Sequence, residues 1–231
     1  MKFKTVVVAF FALALAGSAM ADVIDFSTGS GTPSGTLSWT GGTAALIGSN
    51  IVIEHVGGSG TPSNSGVQAP IIGGILSFTT GTFNHYDALS DTYFWNTGGS
   101  IQITGSGPGC LTLSGCGSGT PNTSSGSPLL AGNLISAELV AGQIKIVVTS
   151  GTDTKDPLLL NFYGEPSGKI WDFSGSVHTT AVGAFNPTTG FSVQSAGSTD
   201  VLNSVPDGGL TLMLLGGAMA GLEGLRRRFR V

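Results

Sequence analysis

Between Asp22 and Ser204 the chain is written in short runs where apolar and polar positions alternate with a period of two. The pattern predicts strands over Thr36–Thr40, Asn50–Val56, Ile75–Thr80, Thr92–Asn96, Ser100–Thr104, Leu134–Val140, Gln143–Thr149, Leu158–Tyr163, Ile170–Ser174 and Phe191–Ser195. Each run is bounded by Gly, Pro, Asn or Ser, the residues that turns require. No stretch before residue 205 carries a 3.6-residue apolar pattern with caps. The region is therefore all-β.

One hairpin can be assigned a register. Ile135, Ala137 and Leu139 alternate with Ser136, Glu138 and Val140; beyond Ala141-Gly142, Ile144, Ile146 and Val148 alternate with Lys145 and Val147. Pairing Leu139 with Ile144 sets Ala137 opposite Ile146 and Ile135 opposite Val148, all inward. The same register places Glu138 opposite Lys145 on the outer face.

Apolar runs of another kind close the two ends. Lys2 and Lys4 precede an apolar segment from Val6 to Ala16 and an Ala19-Met20-Ala21 site, the plan of a secretory signal peptide over residues 1–21. At the other end Val205-Pro206-Asp207-Gly208-Gly209 leads into an apolar run and then Arg226, Arg227, Arg228 and Arg230 within a basic tail, 226–231. A helix over 208–225 would be about 27 Å long, close to the roughly 30 Å hydrocarbon core. The arginines would hold its C-terminal end on the cytoplasmic side.

The order of this tail (a Val-Pro-Asp-Gly-Gly motif, an apolar helix, an arginine cluster) resembles the PEP-CTERM class of bacterial sorting signals, in its VPDSG-CTERM variant. The resemblance covers Val205–Val231, and in that class a membrane enzyme, exosortase, recognises the motif and processes the tail. It implies an exported protein that passes through the inner membrane to the cell envelope, surface or extracellular matrix, with extracellular polysaccharide as the partner to expect there. Two positions depart from the class. Gly208 stands where the motif has serine, and Glu223 lies within the apolar run, a helical neighbour of Arg226. A plain tail anchor needs only the apolar run and the arginines.

Removing both ends changes the composition that matters. The stretch 22–204 holds three lysines, no arginine and eleven acidic residues, a net charge of −8 that repels phosphate backbones and argues against nucleic acid as a partner. Of the 38 glycines, 31 fall here. Cys110 and Cys116, the only cysteines, predict a disulfide in an exported chain, closing a small loop worth about 2 kcal/mol. Many short strands with glycine-rich turns suggest an antiparallel, jelly-roll-like β-sandwich over 22–193, with 194–204 as a polar linker to the sorting signal 205–231. The alternative is a β-solenoid, since Gly-Thr-Pro recurs at 31, 60 and 119.

Candidate chemistry concentrates in Asn84–Trp95. Asp87 and Asp91 offer oxygen ligands for calcium but lack the Asp-x-Asp spacing of a calcium loop. Tyr86, Tyr93 and Trp95 suggest a sugar platform, as do Trp39 and Trp171. His55 and His178 have no His or Cys partners for a metal site, and Asp153–Asp156 before Pro157 is a turn cluster. No nucleophile elbow and no distinguishable carboxylate pair is present. The expectation is a non-catalytic envelope or matrix protein that needs no metal or cofactor. A carbohydrate-binding module and a polysaccharide hydrolase are the alternatives.

Overall fold

A computed structural model describes residues 22–28, 35–106, 128–133, 136–141, 145–149, 152–169 and 171–204, all within the compact unit Asp22–Val205. Its strands are β1 (Val23–Ser27), β2 (Thr36–Trp39), β3 (Ala45–Ser59), β4 (Gln68–Asp87), β5 (Thr92–Trp95) and β6 (Gly99–Ser106). They continue as β7 (Leu130–Asn133), β8 (Ser136–Val140), β9 (Lys145–Thr149), β10 (Thr152–Lys155), β11 (Trp171–Val182) and β12 (Phe191–Ser204). One helix, α1 (Pro157–Tyr163), interrupts them.

The strand order is β1-β3-β2-β12-β11-β10-β7-β6-β4-β5-β8-β9, with further pairings β1–β12 and β3–β4. All of these pairings are antiparallel, so the all-β reading holds, and the parallel ladders of a β-solenoid are not what these strands form. Two short strands share one position: β1 pairs with the far end of β3 and the far end of β12, while β2 pairs with the near end of each. The 20-residue β4 changes partners along its length. Its first part lies between β3 and β6, and Phe83–Asp87 then pairs with β5, which leads on to β8 and β9.

Aromatic residues from β2, β4, β5 and β12 meet in the core around Trp39. Its ring lies 4.5 Å from Phe83, 5.9 Å from Tyr93 and from Phe191, and 6.2 Å from Trp95, and its indole N–H donates to the Ala44 carbonyl at 3.1 Å. Tilted and edge-on pairs of this kind each add about 0.5–1.5 kcal/mol beyond simple burial.

Four expectations change. Leu158–Tyr163 is helical, because Asp156 caps it, accepting from the Leu158 and Leu159 amides at 2.8 and 3.3 Å, Pro157 opens it, and Gly164 ends it in the left-handed region at φ 75°. Its apolar residues Leu159, Leu160, Phe162 and Tyr163 are buried. The turn cluster before it is strand β10, paired with β7 and β11. The β8–β9 hairpin is two residues out of the predicted register: Leu139 pairs with Ile146, Ala137 with Val148, and Lys145 with Val140 rather than Glu138. The paired residues of this hairpin run from Val140 opposite Lys145 to Ser136 opposite Thr149. Residues 194–204, expected as a linker, belong to β12, whose backbone is held by β1 and β2 on one side and β11 on the other, with Val201 fully buried.

Among the described residues no helix is long and apolar enough to cross a membrane; the apolar run 208–225 lies outside them.

Candidate functional site

The stretch singled out in the sequence is the β4–β5 hairpin, and strand geometry sorts its side chains. Tyr86 pairs with Tyr93 and His85 with Phe94. Tyr93 and Trp95 point into the core at 1% and 2% exposure, while His85 is exposed and Phe94 half-buried. Trp39 and Trp171, at 2% and 0%, are equally enclosed. None of the three tryptophans can offer a ring face to a sugar, which corrects the platform expected at Trp95.

The two aspartates shape the turn. Asp87 accepts the Leu89 amide proton at 2.9 Å and the Ser90 hydroxyl proton at 2.8 Å, and these bonds, that from Ser90 foremost, hold its carboxyl below the usual range. Tyr86 donates to Asp91 Oδ1 at 2.8 Å, a bond that raises the phenol's pKa, and Asp91 sits in the left-handed region at φ 49°. The sequence thus brings Tyr86, Asp87 and Asp91 together as a turn rather than as a cation loop. Among the described residues no group of three or more His, Cys, Asp or Glu could hold a metal ion.

Outside this hairpin lies a hollow of about 300 Å³, lined among others by Asn84, His85, Phe94, Asn96, Thr97 and Glu138. The His85 and Phe94 rings stack at 4.6 Å and 12°, and Glu138 is the cross-strand partner of Phe94 on β8. An aromatic pair rimmed by amides, a hydroxyl and one carboxylate suits a small polyol, but a single carboxylate cannot serve two-carboxylate glycoside chemistry. A larger hollow of about 540 Å³, over β6, β7 and β10, is lined by Ser100, Gln102, Asn133, Thr154 and their neighbours. Asp153, the one charged residue among the described residues of its lining, is already paired with Lys155.

Sequence reasoning missed a charged cluster around Trp171. Lys155 Nζ lies 2.6 Å from Asp153 Oδ2, with both side chains fully buried, and 4.4 Å from the centre of the Trp171 ring. Burial pulls the Lys155 pKa down to about 8 against the opposing pull of Asp153. A second ammonium, Lys169 Nζ, lies 5.3 Å from the same ring and 2.6 Å from both Asp22 Oδ2 and Glu165 Oε2. For Lys169 burial acts downward, but the bonds to Asp22 and Glu165 outweigh it and raise the pKa. Glu165 is buried, and its Oε1 has no hydrogen-bond partner among the described residues. The one sequence signal was scarcity: Lys155 and Lys169 are two of the three cations between Asp22 and Ser204.

The sorting motif Val205–Gly209, the arginines Arg226, Arg227, Arg228 and Arg230, and the Cys110–Cys116 pair lie outside the described residues. No protein family, curated protein or solved structure matches the chain.

Proposed function

We propose that this is a non-catalytic, exported protein of the cell envelope or extracellular matrix. In this reading residues 1–21 direct export, an exosortase-type enzyme acts on Val205–Gly209 while the helix 208–225 and the arginines hold the tail in the membrane, and the delivered domain is a jelly-roll-like β-sandwich. The observation that carries it is the fit between domain and signals. Val23, two residues after the Ala19-Met20-Ala21 site, pairs with Ser204, which directly precedes Val205. A folded unit that begins and ends where the two signals meet it is what sorting of an intact domain requires. Four of the eleven carboxylates, Asp87, Asp91, Asp153 and Asp156, have structural duties in a turn, an ion pair and a helix cap, which supports the non-catalytic part.

The experiment replaces Pro206 and Asp207 with alanine, leaves Gly208–Val231 intact, and follows mass and location in the native host. The expected product is unprocessed and retained in the inner membrane. Wild-type mass and location would reduce the tail to a plain anchor and remove the support for a matrix role. In the exported protein Cys110 and Cys116 are expected as a disulfide, found as a linked peptide by mass spectrometry without reduction.

A second reading, glycan contact, is favoured by one observation, the stacked His85–Phe94 pair with its amide rim. Glycan-array binding by the wild type that is lost in Phe94→Ala would support it. A hydrolase has less support, since Glu138 is the sole carboxylate among the described residues lining that hollow.

A further inference from the structure

We propose that Lys169 and Asp22 are joined by an intramolecular isopeptide bond, formed by the protein itself with Glu165 as the proton carrier. Three functional groups have to meet for this reaction: an amine, a carboxyl group to be attacked, and a second, buried carboxyl group that moves protons. Here the amine and the attacked group, Lys169 and Asp22, keep 20% and 24% of their side-chain surface exposed, a way out for the water released. Lys169 Nζ lies 2.6 Å from an oxygen of Asp22 and 2.6 Å from an oxygen of Glu165. The Glu165 side chain is fully buried, and its second oxygen, Oε1, has no hydrogen-bond partner among the described residues, leaving it free to relay a proton. The fully buried Trp171 ring covers the ammonium from 5.3 Å. Reactants held at contact distance turn a bimolecular condensation into an intramolecular one.

In the resting state the lysine is an ammonium between two carboxylates. Glu165 takes one of its protons, and the neutral amine attacks Cγ of Asp22, forming the C–N bond. Glu165 returns that proton to the departing oxygen of Asp22, and a second proton from the same nitrogen follows by the same route. The C–O bond breaks and one water leaves. Ammonium plus carboxylate becomes amide plus water, with no oxidant, metal or nucleotide required. The Lys155–Asp153 pair is just as close but lies within one strand, two residues apart, so a bond there would fasten nothing. The Lys169–Asp22 pair spans 147 residues and ties the start of β1 to the segment entering β11.

The proposal does not depend on the sorting reading, since it concerns side chains within the folded unit and is read in peptides rather than in location. The test takes the protein as isolated from the native host, reduces it, digests it and searches for the segments bearing Asp22 and Lys169. The expected product is a branched peptide lighter by one water than its two linear parts. Linear peptides carrying unmodified Asp22 and Lys169, from protein that shows a cooperative thermal transition, overturn the proposal. Glu165→Gln keeps the shape and removes the proton carrier; it is expected to yield linear peptides, and a branched peptide at wild-type yield overturns the role given to Glu165. Lys169→Arg keeps a cation that cannot be acylated by this route and is expected to fold, to give linear peptides only, and to unfold at a lower temperature than the wild type.

Discussion

Phe78 lays its ring across Gly48, its cross-strand partner in the β3–β4 ladder. A Cβ on residue 48 would run into three atoms of that ring, so the glycine is the seat of the phenylalanine and not a weak point in the strand. Gly48→Ala should therefore destabilise by about 1–3 kcal/mol through overpacking. Gly57→Ala, on the same strand with open space around the new methyl group, should be neutral or stabilising by about 0.4–1 kcal/mol. Urea midpoints of the two variants decide this, and equal losses would refute it.

Tyr163, at the end of α1, makes a second long-range contact. Its hydroxyl donates to the Val56 carbonyl at 3.0 Å and lies 3.3 Å from that of Val67, while its ring covers Gly58. Tyr163→Phe removes the donor to the buried Val56 carbonyl, while the Val67 carbonyl keeps the Gly58 amide at 3.4 Å, a loss of about 1–3 kcal/mol. A thermal midpoint unchanged from the wild type would contradict this account.

Stability should rise and then fall on the alkaline side. Lys155, lowered by burial to about 8, releases its proton in the folded state while the unfolded chain keeps it up to 10.5, so stability increases with pH across that window. Tyr93, raised by burial to about 12, and Tyr163, also raised by burial, keep protons that the unfolded chain loses near 10.0. Their contribution is fully present below that unfolded value and is lost as pH rises through the higher folded values. Melting temperatures at about pH 7, about pH 9.5 and about pH 11 should pass through a maximum, and Lys155→Met should abolish the rising limb.

The aromatic residues of β5 should separate in their behaviour. Trp95→Ala empties part of the core and should cost about 3–5 kcal/mol. Phe94→Ala loses mainly its stack on His85, about 0.5–1.5 kcal/mol, and should stay folded. Denaturation curves of both variants check the inward and outward assignments.

The alternation of Thr92–Trp95 already contained this division, since a period of two puts Tyr93 and Trp95 on one face and Phe94 on the other. Reading the stretch as a cluster of aromatic residues overlooked it. The β8–β9 hairpin was legible as a pair but not in register, because a slip of two residues leaves Leu139 and Ala137 facing inward and the apolar pattern cannot detect it. Helix α1 carried a local signature, Asp156-Pro157 ahead and Gly164 behind, in a window too short for periodicity to register. The middle of β12 had no such signature: Gln194–Asp200 is almost all polar, and it is held along β11 on one side and at its two ends by β2 and β1 on the other. The Trp171 cluster has two local pieces, Asp153 with Lys155 and Glu165 with Lys169 four residues on, but their meeting over one ring and with Asp22 comes only through the fold.

The interior position of β12 also governs how the domain bears a load. A pull on the residue after Ser204, directed along the strand, acts against the ladders to β1, β2 and β11 together. Bonds loaded in this shearing direction have to yield as a group, whereas an edge strand drawn sideways would unzip one bond at a time. The domain is thus built to withstand tension at its C-terminal end, and a proline placed within Phe191–Gln194, where β12 meets β2, would lower its rupture force by removing rungs from one of those ladders.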